Sequence, residues 1–147
     1  DSTVALEREE FLRRYAMVQR NFEFAILHGV DLSGVDLSGV NMFYARLSSC
    51  NLSKAILKGD WNSAKFINCD LRGANLNHCD FTNARFLSAD LREAKGYADL
   101  TCTSFIEVNF QDSQFDGHCQ SPPLYYNVTL KDGGFLGGPS NYSQRAS

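Results

Sequence analysis

The sequence predicts an all-β solenoid, a coil of short strands with four edges to each turn. Three observations predict it. Large apolar residues recur at every fifth position, a small residue stands two places before most of them, and the period slips twice by one residue at points 39 residues apart. A period of five fits neither an α-helix at 3.6 nor a simple strand at 2. Each pentad instead makes one short extended edge, with the large and small residues pointing to one side and a polar residue between them pointing away.

The large residues are the centres of the pentads. They fall at Phe22, Leu27, Leu32, Leu37, Met42, Leu47, Leu52 and Leu57, resume at Trp61, Phe66, Leu71, Leu76, Phe81, Phe86 and Leu91, and end with Leu100, Phe105, Phe110 and Phe115. The step from Leu57 to Trp61 is four, not five. Gly96 stands where a centre is due, and the step from it to Leu100 is again four. Two coils of four pentads, less one residue, separate the two short steps, so both fall at the same corner. Face one then carries Phe22, Met42, Trp61, Phe81 and Leu100. Face two carries Leu27, Leu47, Phe66, Phe86 and Phe105. Face three carries Leu32, Leu52, Leu71, Leu91 and Phe110. Face four carries Leu37, Leu57, Leu76, Gly96 and Phe115. The small positions support this register: Ala25, Ala45, Ala64, Ala84 and Thr103 on face two, and Val35, Ala55, Ala74, Ala94 and Ser113 on face four. Where four edges converge on a narrow axis, larger side chains would overpack.

The repeated unit, as in Ala74-Asn75-Leu76-Asn77-His78 and Ala89-Asp90-Leu91-Arg92-Glu93, resembles the pentapeptide-repeat family, A-(D/N)-L-x-x. The likeness covers roughly residues 20–117. It implies a right-handed quadrilateral β-helix, here of about five coils; at the strand spacing of about 4.8 Å these make a rod of roughly 24 Å.

Both ends of a solenoid need covering. Residues 1–20 are expected to supply an N-terminal capping helix, with the helix itself over 3–20. Ser2 or Thr3 is its cap, Glu7, Glu9 and Glu10 precede Arg13, Arg14 and Arg20, and Val4, Phe11, Tyr15 and Val18 recur at helical spacing. Residues 21–117 are the repeat body, and 118–147 a degenerate cap and tail. Pro122-Pro123 is expected to interrupt pairing and stop the stacking, although Tyr125, Leu130 and Phe135 keep the five-residue step. The Gly-, Ser- and Asn-rich stretch from about Gly137 reads as flexible.

The net charge of −3 lacks the basic face of a general nucleic-acid binder, so no direct nucleic-acid binding is expected. The apolar runs are too short to cross a membrane as a helix. Five cysteines without zinc-ligand spacing favour a reducing, cytoplasmic location. Residue 1 is Asp, which is compatible with a processed chain or a fragment of a longer protein.

No nucleophile elbow, phosphate loop or metal-helix motif is present, so neither catalysis nor a cofactor or metal is expected. Cys50, Cys69 and Cys79 fall in small inward positions, where buried thiols fill space. Cys102 and Cys119 fall outside them; they either form a disulfide tying the cap to the last coil or stand as two partly exposed thiols.

A rigid rod of this kind displays side chains in columns, and the reading that follows is a non-enzymatic scaffold for a protein partner; the resemblance allows an adaptor role. The alternative is a DNA-mimic modulator of a type II topoisomerase, a role known in the family. The repeat region holds 12 acidic and 8 basic side chains. Asp60, Asp80 and Asp99 line face one, and Asp31, Asp70 and Asp90 line face three, but face two carries Arg46, Lys65 and Arg85 in the equivalent position. A mimic needs a field of one sign. Face two is also where the position after the centre, mostly polar elsewhere, holds Ile67, Leu87 and Ile106 in three consecutive coils. An apolar stripe with a basic border is the candidate contact surface, for a partner with an acidic rim. Alternatively the chain's own C-terminal segment covers the stripe with Leu124, Tyr125 or Tyr126.

Overall fold

The computed structural model describes residues 5–17 and 19–140. In chain order the elements are β1 (Ala5–Leu6), α1 (Arg8–Ala16), β2 (Ile26–His28), β3 (Val40–Asn41), β4 (Arg46–Ser48), β5 (Gly59–Asp60), β6 (Lys65–Ile67), β7 (Arg85–Leu87), β8 (Lys95–Asp99), β9 (Ser104–Ile106), β10 (Gln114–His118), β11 (Leu124–Thr129) and β12 (Phe135–Ser140). They build a right-handed quadrilateral β-helix of about six turns with a single short helix among the described residues.

Five residues make one edge because of what the backbone does two places after most centres. There, non-glycine residues from Phe24 to Asn127 take the left-handed conformation at φ 53–62°, as do Gly29, Gly34, Gly39 and Gly73 at 64–83°. One left-handed residue turns the chain through the corner, at a local cost for any residue with a Cβ. Hydrogen bonds to the next coil offset that cost: the corner N–H of Phe24 donates to Phe43 O at 2.8 Å, and that of Lys54 to Arg72 O at 2.9 Å.

The Asp or Asn of each repeat has its own task. At every such position on faces one and three, from Asn21 to Asp99 and from Asp31 to Asn109, Oδ1 accepts the backbone N–H two residues on. This Asx turn fixes the approach to the corner. On face two the same position holds Ile26, Arg46, Lys65, Arg85 and Ser104, and the chain runs as three-residue strands instead.

The four columns align as the repeat predicts. On face two Leu27 pairs with Leu47, Leu47 with Phe66, Phe66 with Phe86 and Phe86 with Phe105. Bridges Asn21–Asn41, Asp60–Asp80 and Asp80–Asp99 hold face one, Asn51–Asp70 and Asp70–Asp90 face three, and Ile56–Asn75 and Asn75–Lys95 face four. Every centre except Gly96 is buried, and the indole N–H of buried Trp61 is satisfied by Leu57 O at 2.6 Å. Gly96 is the one centre without a side chain for a steric reason: its φ is 127°, and a Cβ there would lie 2.5 Å from Asn77 N. Phe115, paired with Gly96 across the sheet, lies with its ring 6.3 Å from Phe81 and 6.4 Å from Phe105.

The ends depart from the expected pattern. The helix spans Arg8–Ala16, not 3–20. Ala5–Leu6 is instead a strand parallel to β2, and Leu6 extends the inner column of face two beside Leu27. An open sheet edge offers this segment hydrogen bonds that one more helical turn would not match. Glu7, without a side-chain cap bond, occupies the N-cap position; Ser2, Thr3, Val4 and Val18 lie outside the described residues. Phe11 is fully buried, its ring 4.5 Å from Phe22, and closes the N-terminal opening.

At the other end Pro122-Pro123 does not stop the stacking. Pro123 is buried next to β11, which pairs in parallel with β9 and places Tyr125 beside Phe105. Proline is tolerated because the ladder bond here is donated one residue later, by Leu124 N to Thr103 O at 2.8 Å. This adds a sixth turn to the five expected. Residues 137–140 belong to β12, which folds back antiparallel to β11, while residues 141–147 lie outside the described residues.

Candidate functional site

Face two is the one broad sheet of the structure, eight strands in the order β1-β2-β4-β6-β7-β9-β11-β12. Its outward side chains form two columns, because residues two apart on a strand share a face. Arg46, Lys65 and Arg85 are direct neighbours in the first column, followed by Ser104. Ile67, Leu87 and Ile106 are direct neighbours in the second. All six expected residues therefore meet on one surface.

The basic column carries unspent charge. Arg72 and Arg92 on face three are held by Asp70 and Asp90 at 2.7 and 2.6 Å, and Arg13 and Arg14 by Glu10 at 2.9 and 2.8 Å. None of Arg46, Lys65 and Arg85 makes an ion pair among the described residues. On face three these ion pairs offset the charge of Asp70 and Asp90, while hydrogen bonds keep the neighbouring carboxylates ionised. The hydroxyls of Ser33 and Ser38, then their backbone N–H groups, hold Asp31 and Asp36 below the ordinary carboxylate range, and hydrogen bonding to Arg72 does the same for Asp70.

The apolar column is longer than the repeat alone indicates. Tyr126 pairs with Ile106 and continues it, 40% exposed. Residues 124–140 thus add beside the stripe as β11 and β12. Tyr125 points inward, stacked 5.3 Å from Phe105, and Leu124 stands next to Ser104 in the first column. The sequence signal for Tyr126 was its place one after Tyr125, a residue in step with Phe115.

Cys50, Cys69 and Cys79 are buried, whereas Cys102 and Cys119 are exposed and free. Burial pushes the Cys79 thiol up; the Cys50 sulfur, and then burial, raise that of Cys69. Among the described residues no three His, Cys, Asp or Glu side chains group as metal ligands, and no helix is long and apolar enough to cross a membrane.

The sequence profile of pentapeptide repeats matches residues 21–59 and 62–95, in eight copies. No curated protein matches the chain. Among solved structures it is similar to HetL of the cyanobacterium Nostoc sp. strain PCC 7120, a pentapeptide repeat protein involved in heterocyst differentiation regulation; the identity is 28% over 74% of this chain, with a TM-score of 0.36. The match spans 48% of HetL. It is also similar to a pentapeptide repeat protein of the Arabidopsis thaliana thylakoid lumen, 24% identical over 69% of this chain and 68% of that one, with a TM-score of 0.39. A third is Rfr23 of the cyanobacterium Cyanothece 51142, 20% identical over 73% of this chain and 92% of that one, with a TM-score of 0.40. With its eight matched repeats, four-column register and Asx-capped corners, the chain belongs to the pentapeptide-repeat family.

Proposed function

We propose that this protein is a non-catalytic binding scaffold that engages a protein partner through face two. One observation carries the reading: a basic column without ion pairs among the described residues, Arg46, Lys65 and Arg85, runs beside a half-buried apolar column from Ile67 to Tyr126 on a single sheet. Apolar surface bordered by unsatisfied charge is the composition of a protein-contact patch. The Asp carboxylates of faces one and three are tied to the backbone, each accepting the N–H two residues on, and do not converge on one site. The same neutralisation by Arg72 and Arg92 leaves face three without the uniform field of a nucleic-acid mimic.

The double substitution Ile67→Lys and Leu87→Lys tests the surface, with affinity capture from source lysate and mass spectrometry as one readout and denaturant unfolding as the other. Loss of a captured partner with stability nearly unchanged supports the reading. Unchanged capture with unchanged stability removes face two as the site. A loss of several kcal/mol places the stripe inside the chain's own packing.

A further inference from the structure

Face two has an aromatic end that the repeat does not call for. The corner residues leading into it are Phe24, Tyr44, Ser63, Asn83 and Cys102, one per coil. Phe24 and Tyr44 are 46% and 54% exposed and both left-handed, at φ 62° and 57°. A bulky side chain is unfavourable in that conformation, and an exposed ring adds nothing to the core. Yet the two rings stack 5.6 Å apart, and Phe43 packs edge-on against both, at 5.9 Å from Phe24 and 4.7 Å from Tyr44.

Between this corner column and the basic column lies an axial groove. One stretch of it, about 270 Å³, is lined by Phe24, Ile26, Tyr44, Ala45, Arg46, Ser63 and Lys65; the next, about 310 Å³, by Tyr44, Ser63, Lys65, Asn83 and Arg85. The two share Tyr44, Ser63 and Lys65 and so run on from one another. The groove exists because the residue between corner and basic column, Ala45 in its coil, is a small inward one. It is aromatic at its N-terminal end and cationic along one wall.

We propose that this groove binds an acidic peptide segment in extended conformation, with an aromatic or large apolar residue at the end that meets Phe24 and Tyr44. The proposal rests on the reading of face two as a contact surface and names the chemistry of the partner. Charge complementarity selects the acid: the three cations lack carboxylate partners and, at a coil spacing of about 4.8 Å, span roughly 10 Å. Alternate side chains of an extended peptide are about 6.6 Å apart, so two carboxylates fall within reach of three flexible cations. Two columns two residues apart leave room for an extended chain but not for a helix of about 10 Å diameter. The exposed rings supply an apolar anchor that complements one on the peptide.

The test uses the full chain and a fluorescein-labelled peptide of alternating Asp and Ser with a terminal Trp. Controls are the same peptide without Trp, with Lys replacing Asp, and a single-stranded oligonucleotide of matching length. Binding should be saturable, weaken with salt, and drop at least about tenfold on removal of Trp or replacement of Asp. Two variants of the protein should each lose at least about tenfold: Phe24→Asn with Tyr44→Ser, which installs residue types used in the same corner column at Asn83 and Ser63, and Arg46→Glu with Lys65→Glu. No saturable binding, indifference to both groove variants, or tighter binding of the oligonucleotide overturns the proposal. If the peptide fails while Ile67→Lys with Leu87→Lys still abolishes partner capture, face two stands as the contact surface and the acidic-peptide assignment falls.

Discussion

The rings of Phe66 and Phe86 lie face to face, 4.5 Å apart and within 3° of parallel, on adjacent coils of face two. Phe105 continues the stack at 5.1 Å and Tyr125 at 5.3 Å. The column runs from Leu6 through Leu27 and Leu47 to Tyr125, so it ties both ends of the rod to one internal spine. Phe86→Ala should therefore destabilise by about 3–5 kcal/mol, measured by denaturant unfolding. A loss below about 1 kcal/mol would contradict the placement of Phe86 in this internal column.

Ser113 sits in the inward column of face four, where the other coils carry Val35, Ala55, Ala74 and Ala94. Its buried hydroxyl has no hydrogen-bond partner. An unsatisfied buried polar group costs about 1–3 kcal/mol. Ser113→Ala should raise stability by about 1 kcal/mol, seen as a higher denaturant midpoint at unchanged slope.

Gly96 presses on the previous coil. Its φ of 127° disfavours any side chain, and the Cβ of Gly96→Ala would collide with the backbone of Leu76 and Asn77. The substitution should cost about 3 kcal/mol through backbone strain. The same change at Gly34, where a Cβ meets nothing within 4 Å and only the left-handed corner opposes it, should cost about 1 kcal/mol. Equal costs at the two sites would contradict the close approach at Gly96.

Acid should loosen the rod in a defined direction. Hydrogen bonds from Arg13 and Arg14 lower Glu10 to about 2, and Asp31 and Asp36 are lowered by Ser33 and Ser38. Carboxylates with depressed folded-state pKa contribute stability that is fully present above their unfolded values and is lost as pH falls through the folded ones. Asp31→Asn with Asp36→Asn keeps the Oδ1 acceptor, as Asn41 and Asn51 do naturally. The double variant should match the parent near neutral pH less any loss of charge-assisted bonding, and should unfold over a shallower acid limb in a circular-dichroism pH titration.

The thiols should divide into two kinetic classes. Cys102 and Cys119 are exposed and should react with a thiol reagent in the native state; Cys50, Cys69 and Cys79 should react only after unfolding. Rapid native labelling of Cys69 would contradict its burial.

The sequence by itself determined the body of this protein. A rule of five, repeated with two slips, assigns every residue to a face and a side because each coil contacts only its neighbours and reads the same local instruction. That is why the columns of Phe66, Phe86 and Phe105, or of Asp70 and Asp90, are legible in the chain itself. The ends follow no repeat, and tertiary structure decided them. Ala5–Leu6 had the composition of a helix start but was drawn onto the free edge of β2. Leu124–Thr129 followed two prolines yet completed a sixth turn, because β9 offered an unpaired edge. The site was divided in the same way. Its basic and apolar columns follow from register alone. The aromatic contact of Phe24, Phe43 and Tyr44 does not, because it depends on how far corner side chains of successive coils lean together, a distance set by stacking rather than by spacing in the chain.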